Sequence, residues 1–306
     1  MDATTGERAN LSYGDAPPVL VAGSSETAIR RARSAIDNLG LRVGAALPVA
    51  TALERFEQQA SAGAVWIELD EDCGGAMDAL LSHVARDVSD GRYAAVVATV
   101  PGLLDPVMAA VGLSAVEVIV SPDALERAAA LAIAASAHGR PLRLSDVAAD
   151  RSAEQLRQLS DEVSRIAAML SRLSTGPDPA PRAIQPPASG EVRPVSPDTV
   201  RKVIRARRLR ARFFPEDMFA DPAWDMLLDL LQAELSHLRV PVSSLCIAAA
   251  VPATTALRWL KTMVSEGLFI RRADPHDGRR VFVELAPETR DALHLYFAEV
   301  EEVAVI

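Results

Sequence analysis

A segment near the C-terminus carries hydroxyl and cationic side chains at helical spacing. Pro252 is well placed to begin a helix and Gly267 to end one, because proline favours the first helical position and glycine the position after the last. One face of this helix is apolar, with Ala256, Leu257, Leu260, Met263 and Val264. The other face carries Thr254, Thr255, Arg258, Lys261 and Thr262. Such side chains could reach base edges and phosphates in the major groove of double-stranded DNA.

Two arginines, Arg279 and Arg280, follow a turn over residues 273–278. Apolar runs on either side predict two strands, 268–272 and 279–285, and therefore a hairpin. Guanidinium groups there could lie against a narrow minor groove, which concentrates negative potential. Asp277 stands two residues before Arg279, and we expect it to hold that guanidinium in position. Two helices followed by a hairpin with arginines at its tip are typical of a winged helix-turn-helix.

Three further helices must position these residues. A basic helix is predicted over 198–214, and it is either a solvated face or a surface for a dimer or a DNA backbone. Asp221 and Pro222 begin the next helix, whose apolar residues to Leu238 we interpret as core. Ser243 and Ser244 are expected to cap a short helix over 245–250.

The segment EGLFIRRADPHDGRRVFVELAPE, residues 266–288, resembles the MarR-type winged-helix regulators. The resemblance extends from about Asp198 to Ile306, and it includes the Asp277-Gly278-Arg279 motif of the wing. Arg258 stands where that family commonly has a recognition-helix arginine. The family implies DNA binding as a dimer. Family members usually have a single domain, whereas this chain carries a large additional N-terminal half.

Composition limits the remaining possibilities. A chain of 306 residues suggests about two domains, because single cores stop growing at roughly 250–300 residues. The net charge of −9 repels phosphates, so any contact with DNA needs a local basic face. Cys73 and Cys246 are interpreted as reduced thiols of a cytoplasmic protein, and the scattered histidines predict no metal site. The richest apolar run, about 128–137, is too short to span a bilayer, and residues 1–15 are not a signal peptide.

The N-terminal half alternates between predicted strands and helices. Apolar runs bounded by Gly, Pro and Ser predict strands at 19–22, 41–45, 64–69, 94–99 and 116–120. Helices are predicted at about 26–39, 52–62, 77–87 and 103–111, and a last one, capped by residues 121–123, ends near Ser136. Strict alternation predicts a doubly wound parallel sheet. The predicted fold class is therefore α/β followed by α+β.

Residues 17–140 resemble a two-component receiver domain in length, element order and Ser121-Pro122 after the fifth strand. A phosphorylatable receiver implies two adjacent acids after the first strand, an acceptor Asp after the third and a Lys after the fifth. Here the first site has Gly23, Ser24, Ser25 and Glu26. The third has Glu68 and Asp70, the fourth Thr99, and the fifth Ser121. We expect a degenerate receiver without phosphoryl transfer.

An amphipathic segment and a linker join the halves. An a/d heptad seam within residues 152–174 predicts a dimeric coiled coil, with one amphipathic helix packed on its own domain as the alternative. The seam residues are Leu156, Leu159, Val163, Ile166, Leu170 and Leu173. Residues 175–197 are rich in proline and predict a semi-extended linker before a winged-helix domain at 198–306.

These patterns predict a dimeric, cytoplasmic, sequence-specific DNA-binding regulator with no cofactor. The first alternative is a sensor-repressor whose N-terminal domain binds a metabolite or nucleotide. Gly23-Ser24-Ser25 could cradle a phosphate at a helix N-terminus, although it lacks the repeated glycines of a dinucleotide fingerprint. The second alternative is an adaptor that binds proteins through both domains. Because no nucleophile–base pair stands out, an enzyme is not expected.

Overall fold

The computed structural model describes residues 17–59, 62–136, 195–214 and 219–299. The chain divides into two compact units. One contains the five-stranded sheet, and the other contains residues 104–109 together with the helices and the three-stranded sheet that follow residue 195. The predicted heptad from Leu156 to Leu173 and residues 175–194 of the predicted linker lie outside the described residues.

The five strands of the N-terminal half alternate with helices, and all four strand pairings are parallel. The strand order is β2-β1-β3-β4-β5, which is the flavodoxin-like doubly wound order. This confirms the predicted α/β sheet. The elements are β1 Val19–Gly23, α1 Glu26–Asn38, β2 Val43–Pro48, α2 Val49–Glu57, β3 Ala64–Leu69, α3 Gly75–Ser89, β4 Ala95–Thr99, α4 Leu104–Val111, β5 Glu117–Val120 and α5 Ala124–Ser136.

The central strands β1, β3 and β4 are buried along their whole length, as expected for parallel strands covered on both faces. On one face, Ala32 and Ile36 of α1 and Leu131 of α5 form a core cluster with Trp66. Ser25 caps α1, because its hydroxyl accepts the amide of Ala28.

The start of α5 is fixed by a reciprocal pair of bonds. Asp123 accepts the Glu126 amide, and the Glu126 carboxylate accepts the Asp123 amide. The sequence predicts a cap within residues 121–123, and this capping box identifies Asp123 as the capping residue.

The edge strand β2 differs most from its prediction. It begins at Val43 instead of Leu41 and runs to Pro48, where α2 starts at once instead of at Ala52. Pairing with β1 accounts for the extension, since Ala22 lies opposite Leu47 and Gly23 opposite Pro48. The strand is only half-buried, and buried and exposed residues do not alternate regularly along it. Its sequence therefore lacks the regular apolar–polar alternation by which the ends of a strand are predicted.

The second unit combines helices with a small antiparallel sheet of order β6-β8-β7. Its elements are α6 Pro197–Leu209, α7 Pro222–Leu235, β6 Val240–Pro241, α8 Val242–Ala248, α9 Ala253–Ser265, β7 Phe269–Ala273, β8 Val281–Leu285 and α10 Pro287–Glu299. Asp221 caps α7 by accepting the Trp224 amide, as predicted. The core lies between α7, with Met226, Leu228 and Leu231, and α9.

Several predicted boundaries in this unit are wrong. The basic helix α6 ends at Leu209, and a 3-10 turn over Arg210–Arg212 follows it. Helix α8 begins at Val242, so Ser243 lies in its first turn and no side chain caps it. Leu238 is 63% exposed, because α7 has already ended at Leu235.

Among the described residues, no single helix is both long and apolar enough to cross a membrane. One pair, α8 with α9, reaches that length and apolarity only when the two helices are taken together, and they are bent by 108°.

Candidate functional site

Helix α9 presents a polar face opposite its buried stripe. Ala256, Leu257, Leu260 and Met263 are buried against the unit's core. Thr255, Arg258 and Thr262 are exposed on the other side, while Thr254 and Lys261 are half-buried at its margins. The structure therefore brings all five predicted residues of this helix to one surface.

Both ends of α9 are set by local backbone geometry. Residues 249–252 connect α8 to α9, and the two helices meet at a bend of 108°. At the other end, Gly267 has a φ of +74°, the left-handed region that glycine adopts without steric cost. The Gly267 amide donates to Val264 and the Leu268 amide to Met263, which is a Schellman motif. The helix consequently ends abruptly and leads straight into β7.

The hairpin turn carries both predicted arginines. β7 ends at Ala273 and β8 begins only at Val281, so Arg279 and Arg280 lie in the turn and not in a strand. The Asp274 amide donates to the Arg280 carbonyl at 3.0 Å, which closes the turn. Arg280 is exposed and Arg279 is half-buried. The tip thus offers cationic side chains on a hydrogen-bonded loop.

Asp277 organises this turn from within. Its Oδ1 accepts the backbone amide of Arg279 at 3.0 Å, and its Oδ2 lies 3.3 Å from Nε of Arg280. Asp277 is therefore bonded to the main chain of Arg279 and to the guanidinium of Arg280. Since both members of the ion pair are largely exposed, it contributes at most about 1 kcal/mol. Its role in positioning the Arg279 guanidinium stays a prediction.

A polar cluster occupies the carboxyl edge of the parallel sheet. The Ser24 hydroxyl donates to Asp70 Oδ1 at 2.6 Å, and the Ser25 hydroxyl donates to Oδ2 at 2.9 Å. Arg31 also donates to Oδ2, at 3.0 Å. Partial burial by itself raises the pKa of Asp70, but these three hydrogen bonds outweigh it and lower the pKa below the usual value. Asp70 therefore stays ionised and fully engaged.

A buried carboxylate lies next to this cluster. Glu68 is 2% exposed, and it accepts a hydrogen bond from the Trp66 indole at 2.9 Å. Arg31 of α1 and Arg127 of α5 both contact its Oε1, at 3.1 and 2.9 Å. Two helices are thereby tied to one strand. Such a set of paired charges is consistent with a structural role, because every group already has a partner.

The structure also places the residues predicted for the fourth and fifth sites of this edge. Thr99 is buried at the end of β4, and Ser121, with a φ of +48°, stands after β5. In the described part of the chain, no group of three or more His, Cys, Asp or Glu side chains could hold a metal ion.

Two features of these surfaces were missed by sequence reasoning. Trp259 is exposed beside Arg258, although its aromatic character favours burial. Helical spacing could have predicted this exposure, because residue 259 follows Thr255 by four positions and precedes Thr262 by three, and such residues are neighbours on one helix face. The clamp of Arg31 and Arg127 on Glu68 carries no local signal, because its members come from three separate elements.

Comparison with known proteins gives no family assignment: no protein-family model and no curated protein matches this chain.

Proposed function

We propose that the second unit is a winged helix-turn-helix domain that binds double-stranded DNA, and that the protein is a sequence-specific transcriptional regulator. The observation that carries the proposal is the pair α8 and α9. Four residues join these helices at a bend of 108°, within the range of about 90–120° typical of a helix-turn-helix. A three-stranded sheet of order β6-β8-β7 accompanies them.

The chemistry of α9 supports its assignment as the recognition helix. Arg258 is exposed at the centre of the polar face and could pair with the O6 and N7 of a guanine. Thr255 and Thr262 lie one turn to either side, where hydroxyls could bond to bases or phosphates. Thr254 and Lys261 flank this line and would contact the backbone. The indole of Trp259 adds a flat apolar surface beside the arginine.

The hairpin would act as the wing. Arg279 and Arg280 lie in its turn, where their charges could lie against the adjacent minor groove. Asp277 would hold the loop in shape at the cost of one negative charge near phosphate. The segment 266–288 resembles MarR-type regulators, and we propose membership of that class on this resemblance and the order of the elements.

For the first unit we propose a receiver-like domain that serves assembly or signal input without phosphorylation. Its support is the cluster around Asp70, in which Ser24 and Ser25 stand where a receiver needs acids and Arg31 already neutralises the aspartate. The predicted heptad from Leu156 to Leu173 would join two chains as a dimer. Cys73 and Cys246 are free thiols, which is compatible with a cytoplasmic setting.

The test is in vitro selection by the full-length protein from a library of random duplexes. We expect one enriched sequence, bound on the order of 10³-fold or more tightly than a scrambled duplex at the same salt concentration. Arg258→Ala should cost about 1–3 kcal/mol and relax the preference at one base. The matched control is Arg33→Ala, an exposed arginine on α1. Failure to enrich any duplex would refute the proposal and favour the protein adaptor.

A further inference from the structure

Helix α6 lines an open groove of about 560 Å³ on the second unit. The helix contributes three arginines and two aliphatic side chains to it, the 3-10 turn that follows contributes a fourth arginine, and Gln232 of α7 also lines it. We call it the arginine groove; it is lined by Arg201, Ile204, Arg205, Arg208 and Leu209 of α6 and by Arg212 of the 3-10 turn. It therefore combines strong positive charge with apolar surface.

In the described part of the chain, the cations of this groove are only partly paired with acidic side chains. Arg201 pairs with Asp198 at 2.7 Å, and the charge of Arg208 acts on Asp229. Among the residues that the structure describes, no acidic side chain pairs with Arg205 or Arg212. Leu209 beside them is 43% exposed. A surface of this kind is complementary to a segment that carries both carboxylates and aliphatic side chains.

The chain itself contains such a segment. Residues 300–306, which follow Glu299 at the described end of α10, read VEEVAVI. Glu301 and Glu302 follow Glu299 closely, so three acids fall within four residues. Val300 and Val303 stand on either side of the acidic pair. Both the charge and the apolar character of the groove therefore have a counterpart in this segment.

The described end of α10 and the C-terminal end of α6 both lie beside the start of α7. Nε of Arg207, near the end of α6, lies 2.7 Å from Asp225 in the first turn of α7. The ring of Tyr296, near the end of α10, lies 5.0 Å from that of Trp224, the neighbour of Asp225. The C-terminal ends of α6 and α10 therefore both lie near the N-terminal end of α7.

The segment is also long enough. Seven extended residues span up to roughly 23–25 Å, whereas the 13 residues of α6 rise about 20 Å. Residues 300–306 can thus reach along the whole groove from the end of α10.

We propose that residues 300–306 dock in the arginine groove of their own chain, with the carboxylates of Glu301 and Glu302 beside the guanidinium groups of Arg205, Arg208 and Arg212. Docking would cover a strongly basic surface of the chain and keep it from other anions. This inference does not depend on the DNA-binding role of α9, since it concerns a different surface of the unit.

Disulfide trapping in the full-length chain tests the contact. In a Cys73→Ser, Cys246→Ala background, Leu209→Cys with Val303→Cys places one thiol in the groove and one in the segment. The control pairs Val303→Cys with Leu238→Cys, an exposed site beyond the other end of α7. We expect the groove pair to close within one chain at least about tenfold faster than the control, because docking raises the effective concentration. Adding Glu301→Lys and Glu302→Lys should abolish the difference.

Equal rates for the two pairs would overturn the proposal, and so would a disulfide that forms only between two chains. A measurement on the chain with its native cysteines does not depend on the substituted background. Glu301→Lys with Glu302→Lys should raise the salt concentration needed for elution from immobilised heparin. The same charge change by Glu288→Lys with Asp291→Lys, at the start of α10, should raise it less. Equal increases would contradict docking, because charge alone would then explain the retention.

Discussion

Arg127 on α5 reaches across to the buried carboxylate of Glu68 on β3, with 2.9 Å between its Nη2 and Oε1 of the glutamate. Arg31 on α1 contacts the same oxygen, and the indole of Trp66 bonds to the other one. The carboxylate is taken out of water but is satisfied on both oxygens. Two helices on one face of the sheet are therefore held in register with β3 by one charge.

Removal of either arginine should lower the free energy of unfolding. Arg127→Met should lower the free energy of unfolding, but by less than the about 3–5 kcal/mol expected for a fully unpaired buried charge, because Arg31 and Trp66 still contact the carboxylate. Arg31→Met should cost less, because the Arg31 side chain is 36% exposed and that of Arg127 16%. Urea denaturation monitored by circular dichroism measures both changes. Indistinguishable stabilities of wild type and Arg127→Met would contradict the structural role of the pair.

The hydrogen bonds around Asp70 predict a dependence of stability on pH. The pKa of Asp70 is lowered in the folded protein, so its contribution is present above the unfolded value and is lost as the pH falls through the folded value. Asp70→Asn should therefore destabilise the protein at neutral pH, and this cost should shrink only below about pH 4. Thermal unfolding from pH 7 to pH 3 measures it, with the exposed Asp37→Asn as control. A destabilisation by Asp70→Asn that grows as the pH falls would contradict a lowered pKa of Asp70.

Much of the first unit could be predicted from the sequence. The observed bounds of β3 and β4 agree with the predicted bounds to within one residue, because both strands are apolar runs that end at polar or small residues. The parallel sheet followed from the alternation of strands and helices, whereas the order of its strands was not predicted. The half-buried edge strand β2 could not be bounded in this way, since its length depends on pairing with β1.

The candidate sites were only partly predictable. Helical periodicity was enough to assemble the polar face of α9, since its five residues lie on one element. The clamp on Glu68 depends on distances between α1, β3 and α5, which no local pattern contains. The partners of Asp277 were likewise hidden, because one carboxylate oxygen accepts the backbone amide of Arg279 and the other lies near the guanidinium of Arg280.

Replacement of both arginines in the hairpin turn tests the wing. Arg279→Ala with Arg280→Ala should flatten the dependence of DNA affinity on salt, by about 0.9 in log–log slope for each phosphate that the variant no longer neutralises. Arg272→Ala is the control, because Arg272 pairs with Glu284 at 2.5 Å within the sheet. Fluorescence anisotropy at four or more salt concentrations gives the slope. A slope equal to that of wild type would argue against contact between the hairpin and DNA.

Asp277→Ala separates loop geometry from simple charge. The change removes a negative charge near DNA, yet it also removes the acceptor of the Arg279 amide and the partner of Arg280. We expect DNA affinity to fall about 2–10-fold, the effect of removing a hydrogen bond worth about 0.5–1.5 kcal/mol. Glu288→Ala, exposed at the start of α10, removes the same charge as a control. Tighter binding by Asp277→Ala would mean that charge alone governs the loop.

The predicted heptad can be tested in the full-length chain. Val163→Asn with Ile166→Asn places two amides in the seam and should raise the dimer dissociation constant at least about tenfold, equivalent to about 1.4 kcal/mol. Weaker binding to DNA should accompany dissociation of the dimer. Light scattering over a range of protein concentrations measures the change, with Ser164→Asn as the control outside the seam. An unchanged dimer would favour the single amphipathic helix.

The strand order of the first unit has a consequence for the growing chain. β1 lies between β2 and β3, so a ribosome that has released residues 19–48 has supplied only one of its two neighbours. The backbone groups on the other edge of β1 stay unpaired until β3 emerges. One edge of β3 then stays unpaired until β4 emerges. The hairpin of β7 and β8 has no such delay, because its partners are separated by a single short turn. The slow step of folding is therefore expected in the parallel sheet, where early, half-paired strands are open to wrong partners.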